Sequence, residues 1–68
     1  MKNNFYAIMI TGYGARRRYS VQRVSGSGTN PTNGKTYRTE GAAMAAAAEM
    51  GVEIERIGDF YEIVKHSL

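Results

Sequence analysis

The chain has no cysteine and one histidine, His66, in 68 residues. Neither disulfides nor thiolate metal sites can reinforce it, and a lone imidazole cannot supply the three or four N/S ligands of a zinc centre. A domain of this size buries only about 60% of its unfolded surface, so the core is thin and rests on packing alone. Long apolar runs are also missing. The run Phe5 to Ile10 is too short for the apolar core of a secretory signal, and no stretch approaches the ~20 apolar residues of a membrane span. The expectation is one domain over residues 1–68, soluble and in the cytoplasm.

A further absence concerns charge. Residues 1–39 carry Lys2, Arg16, Arg17, Arg18, Arg23, Lys35 and Arg38 and no acidic side chain. All six acids lie in residues 40–68, with Arg56 and Lys65, so the halves carry +7 and −4 within a net charge of +3. Such asymmetry predicts an electropositive region able to attract phosphates or acidic protein surfaces.

The segment Phe5 to Thr11 is aromatic and β-branched, stops at Gly12, and reads as a strand. It is apolar on both alternating faces, which predicts cover on both sides. After the turn Gly12-Tyr13-Gly14-Ala15, residues 17–24 alternate. Arg17, Tyr19, Val21 and Arg23 share one face; Arg18, Ser20, Gln22 and Val24 share the other. The two segments form a hairpin. Residues 25–34 are Gly, Ser, Thr, Asn and Pro and read as a flexible loop, followed by a short third strand over Lys35 to Arg38.

Thr39 is a helix N-cap with Glu40 in the first turn, and Ala42 to Met50 is strongly helix-forming. Gly51 suits the left-handed residue that ends the helix, with Val52 folding back behind it. A helix of about 16 Å is too short to stand alone, so it must lie on the sheet. Met44 and Met50 are the expected anchors, with Ala43, Ala47 and Ala48 lining the contact. Residues 52–66 read as a second hairpin turning at Gly58-Asp59. Its register sets Glu55 opposite Glu62 and turns Val52, Ile54, Tyr61 and Ile63 inward. The expected fold is α+β, an antiparallel sheet of four to five strands with one helix on one face, in the order β-β-β-α-β-β.

Residues Gly26 to Thr36 (GSGTNPTNGKT) approach a phosphate-binding loop, which needs G-x-x-x-x-G-K-[ST] opening a helix. Thr29 stands where the first glycine belongs, Gly28 is one residue too far away, and Tyr37-Arg38 continues as strand. Nucleotide binding is excluded, and Lys35 joins the basic surface. Gly12-Tyr13-Gly14 lacks the third glycine and the helix of a dinucleotide site. His66 has no nucleophile and acid patterned around it, and no constellation makes a catalytic, cofactor or metal site.

What remains is the arginine hairpin. Arg16, Arg17 and Arg18, with Arg23, Lys35 and Arg38 on neighbouring strands, form either a solvated face that discourages edge pairing or a docking surface. Tyr13, Tyr19 and Tyr37 are interleaved with them. Arg and Tyr together serve single-strand binding, by base stacking, and protein interfaces, as anchor residues. Glu55 and Glu62 read as a solvated face, or as an attractor for the basic half of a second copy, which makes a homodimer one expected partner.

In element order and basic strands over residues 5–51, the chain resembles the three-stranded DNA-binding domains of tyrosine-recombinase arm-binding segments and plant ethylene-response factors. In size, and as a compact domain without a catalytic motif, it resembles phage and mobile-element accessory proteins, including anti-CRISPR inhibitors. The latter resemblance implies a non-enzymatic protein that occupies a nucleic-acid-binding surface of a ribonucleoprotein. Direct DNA or RNA binding by the same strands, and a structural homo-oligomer joined through its first strand, are the alternatives.

Overall fold

A computed structural model describes residues 4–26 and 28–65; Lys2, Ser27 and His66 lie outside the described residues. The order is β1 (Phe5–Thr11), a 3-10 turn (Gly14–Arg16), β2 (Arg18–Ser25), β3 (Gly28–Pro31), α1 (Glu40–Met50), β4 (Ile54–Gly58) and α2 (Phe60–Val64). The fold is α+β as expected, but with a four-stranded mixed sheet, β3-β2-β1-β4, and two helices.

The first hairpin forms as the alternation predicts. β1 pairs antiparallel with β2, Ile8 opposite Val21 and Phe5 opposite Val24. The doubly apolar β1 is covered on both sides. Phe5, Ala7 and Val24 form one buried cluster with Ile63 of α2, and Met9 packs against it. On the alternate face, buried Ile8 and Val21 lie beneath α1, which packs on β2 and β1 through Ala43 and Ala47. β1 therefore offers no free face to a second copy, and its two edges are taken by β2 and β4.

Helix α1 follows local chemistry at both ends. The Thr39 hydroxyl accepts from the Ala42 N–H at 3.1 Å, satisfying an orphan donor of the first turn. Gly51 is left-handed (φ 73°), and its N–H and that of Val52 donate to the Ala48 and Ala47 carbonyls. The contact with the sheet is made by alanines. Met44 is 41% exposed instead of anchoring the helix, because only small side chains let the backbone approach the strands.

Two expectations need correction. Residues 25–34 are not one long loop: Ser25 pairs with Gly28, and β3 runs antiparallel to β2. The third strand is thus Gly28–Pro31, while within Lys35 to Arg38 only Tyr37 makes an isolated bridge, to Tyr19. Edge pairing needs only backbone groups on one side, so a polar Gly-Thr-Asn-Pro segment can supply it.

The second correction is the C-terminal segment, which is a strand and a helix and not a hairpin. Asp59 does not turn the chain; its carboxylate accepts from the Glu62 N–H at 2.8 Å and caps α2. The acid-x-x-Glu spacing is that of a capping box, and the helix avoids the Glu55–Glu62 opposition that the hairpin required. β4 instead pairs parallel with β1, Ile57 opposite Ile8, with α1 as the crossover connection. Tyr61, expected inward, is 75% exposed, and Ile63 alone is buried from α2.

Candidate partner-binding surface

The basic residues are gathered by the turn that ends β1. Gly12 has φ 77°, and a Cβ there would lie 2.5 Å from the Arg16 carbonyl oxygen, so the chain can fold back this tightly only at glycine. The 3-10 turn that follows closes through the Arg16 and Arg17 N–H groups, which donate to the Tyr13 and Gly14 carbonyls. Its outside carries Tyr13, 90% exposed, with Arg16 and Arg17 also exposed.

Arg18 plays a different part from its neighbours. Its Nη1 donates to the carbonyls of Ala15 (3.0 Å) and Arg17 (2.8 Å), so the guanidinium clamps the turn. Such charge-assisted bonds are stronger than neutral ones, and Arg16 and Arg17 beside them are exposed.

The segment after β3 returns to this end of the sheet. Tyr19 and Tyr37 exchange both backbone bonds, at 2.8 and 2.7 Å. Asn33 organises the intervening loop: its Nδ2 donates to the Tyr37 hydroxyl at 2.9 Å, and its Oδ1 accepts from the Lys35 N–H at 3.0 Å. The Thr32 hydroxyl and N–H both donate to the Val21 carbonyl. Lys35 and Arg38 project from a tied loop, beside half-buried Tyr19 and Tyr37.

One end of the sheet therefore presents Tyr13, Arg16, Arg17, Lys35 and Arg38 around the structural set Arg18, Tyr19 and Tyr37. Arg16, Arg17, Lys35 and Arg38 form no ion pair among the described residues; the Glu62–Lys65 contact at 3.1 Å belongs to α2 and is exposed. Surface pairs of that kind contribute little to stability.

Arg23 does not join this group. It lies four residues along β2 from Tyr19, about 13 Å away at the usual strand rise, between Tyr6 and Asn30. There it lines a cleft of about 320 Å³ with Phe5, Tyr6, Val52, Glu53 and Glu55, at the end where α1 finishes and β4 begins. The +7 and −4 of the sequence halves thus resolve into a basic end and a mixed end, with Arg23 among the carboxylates.

Sequence reasoning missed three exposed apolar side chains. Ile57 (42%), Phe60 (54%) and Tyr61 (75%) are exposed at the end of β4 and the first turn of α2. Gly58 pairs with Met9, two residues before the end of β1, so they lie toward the same end as the basic turn. The signal that could have revealed them is the Asp59-x-x-Glu62 capping spacing, which leaves Ile63 as the inward position and turns Phe60 and Tyr61 outward.

Among the described residues no group of three or more His, Cys, Asp or Glu side chains could hold a metal ion, and no helix is long and apolar enough to cross a membrane. No family model, curated protein or solved structure matches the chain.

Proposed function

We propose that this small basic protein is a non-enzymatic binding protein. In this reading it docks its basic Arg/Tyr end on a nucleoprotein or nucleic-acid-binding complex and inhibits or modulates it, as the anti-CRISPR resemblance implies, inside a host cell and encoded by a phage or mobile element. The observation that carries the reading is the exposure of Arg16, Arg17, Lys35 and Arg38 at the end of the sheet that bears exposed Tyr13, with no carboxylate among the described residues paired to any of the four. Arginine forks unspent on internal pairs are suited to carboxylates and phosphates, and an exposed tyrosine beside them supplies apolar contact area. The apolar Ile57, Phe60 and Tyr61 toward the same end favour a protein surface over bare nucleic acid, because a duplex backbone offers little apolar area to cover them.

The second reading is direct binding of single-stranded nucleic acid. Tyr13 is 90% exposed on the turn that carries Arg16 and Arg17, and a base can stack on such a ring.

Mobility shift at low salt separates the two. With four phosphate contacts, log K against log salt has a slope of about −3 to −4. Absence of any shift at 50 mM salt removes direct binding and leaves a protein target. Affinity capture from host extract then compares wild type with the Arg16→Ala/Arg17→Ala/Arg38→Ala variant. Arg18 is left intact because it clamps the turn. Equal recovery of the same partner by both proteins would overturn the reading.

A further inference from the structure

The loop between β3 and α1 holds a reactive pair of residues in a defined conformation. Asn33 precedes Gly34, and both are exposed. Gly34 has φ 70°, in the region that favours glycine, and a Cβ placed on it would meet nothing within 4 Å. No hydrogen bond engages the Gly34 N–H among the described residues. The backbone nitrogen that follows the Asn33 side chain is therefore open to solvent base.

Both ends of the Asn33 amide are held. The Lys35 N–H can only donate, so the atom 3.0 Å from it is Oδ1, and Nδ2 is the atom 2.9 Å from the Tyr37 hydroxyl. Tyr37 is fixed in turn by its two backbone bonds to Tyr19. Attack on Cγ calls for these same contacts. A donor at Oδ1 stabilises the negative charge that develops on that oxygen. The planar amide nitrogen cannot accept a hydrogen bond, but once Cγ is tetrahedral Nδ2 has a free electron pair. The Tyr37 hydroxyl can then change from acceptor to proton donor.

We propose that Asn33 is a self-modifying site, which loses its side-chain amide to attack by the Gly34 nitrogen with the Lys35 N–H and the Tyr37 hydroxyl assisting. Solvent base removes the Gly34 N–H proton, and the nitrogen's electron pair forms a bond to Cγ while the C=O pair moves onto Oδ1. That pair returns, the Cγ–Nδ2 bond breaks, and Nδ2 leaves as ammonia with a proton from Tyr37 that solvent replaces. Water then adds to one carbonyl of the five-membered imide and reopens it, as aspartate or isoaspartate at position 33. One water is consumed, one ammonia is released, and nothing is oxidised or reduced.

The product carries a new carboxylate two residues from Lys35, which lowers the net charge of +3 by one. The basic end of the sheet thereby weakens as a docking surface as the protein ages. This consequence rests on the docking reading; the chemical step does not.

The test incubates the full chain at mildly alkaline pH beside acetyl-PTNGKTYR-amide, which is residues 31–38 without the fold. Peptide mapping follows the gain of one mass unit at Asn33, with Asn30 as internal reference because the Pro31 nitrogen has no proton to lose. The expected rate at Asn33 is about tenfold higher in the folded protein than in the peptide, and falls to the peptide's rate when both are in unfolding urea. Tyr37→Phe, with its fold checked by circular dichroism, is expected to slow the protein by about tenfold, less than the ~10²–10⁴-fold typical of general acid catalysis because water competes at an exposed turn. Fully converted wild type is expected to leave a heparin column at lower salt than fresh protein. Asn33→Gln, whose longer side chain closes a ring far more slowly, should keep its elution over the same incubation. A folded-state rate no higher than the peptide's, a Tyr37→Phe protein that reacts as fast as wild type, or heparin elution unchanged by conversion would overturn the proposal. None of these readouts uses the docking partner, so either proposal can fail without the other.

Discussion

The two helices solve the same problem, covering one face of a thin sheet, by opposite means. α1 is eleven residues, capped at both ends, and seats Ala43 and Ala47 on the strands. It gains little from each side chain and depends on close approach. α2 is five residues and inserts one large group, Ile63, among Phe5, Ala7 and Val24. It has too few residues for intrinsic helicity to matter. One helix is held by its own chemistry and its fit, the other by a single buried side chain and a single cap.

This contrast can be broken from either side. The largest effect is expected at Ile63→Ala, which removes the only buried residue of α2 and should cost about 2–5 kcal/mol. In a domain this small that is a large share of the total, and urea unfolding should show the midpoint collapse. Ala47→Leu tests the other means of attachment. Overpacking beneath α1 should cost about 1–3 kcal/mol by the same measurement. If Ala47→Leu is neutral, the alanine contact is not close-packed.

The caps sharpen the comparison further. Asp59→Ala removes the acceptor for the Glu62 N–H and should cost about 1 kcal/mol. Amide exchange should accelerate within α2 while α1 stays protected, because a five-residue helix detaches as a unit. Thr39→Ala should cost a similar ~1 kcal/mol, but with exchange rising only in the first turn of α1. The smallest effect is expected for Arg16→Ala/Arg17→Ala, within about 0.5 kcal/mol of wild type, since both side chains are exposed and make no ion pair among the described residues. A large loss there would mean that the turn, and not a partner, needs these arginines.

Much of this architecture was legible in the sequence. The alternation of β2 and the doubly apolar β1 foretold the central hairpin and its two covered faces, and Thr39 and Gly51 bracketed α1. These signals act within a few residues of backbone. The candidate surface was legible in part. Arg16, Arg17, Lys35 and Arg38 are exposed, whereas Arg18 is consumed in clamping the turn and Arg23 sits at the far end of β2. A count of basic residues cannot tell a side chain that reaches out from one that folds onto a carbonyl. The third strand was misplaced at 35–38 because β3 pairs with β2 already from Gly28, and composition alone does not say which polar residues pair.

By itself the sequence determined what short-range sterics and capping control: β1, the alternation of β2, α1 and its ends, and the chemistry concentrated before residue 40. Tertiary structure alone decided whether Gly58-Asp59 turns a hairpin or caps a helix. That choice depends on where β4 finds a partner, and the open edge of β1, reachable only after α1 crosses the sheet, supplies it in parallel. Once β4 takes that edge, α2 must cover Phe5 and Ala7 with Ile63, and Phe60 and Tyr61 are left facing solvent. Pairing of this kind is non-local, fixed by which backbone edge and apolar face remain unsatisfied when the rest of the chain has folded.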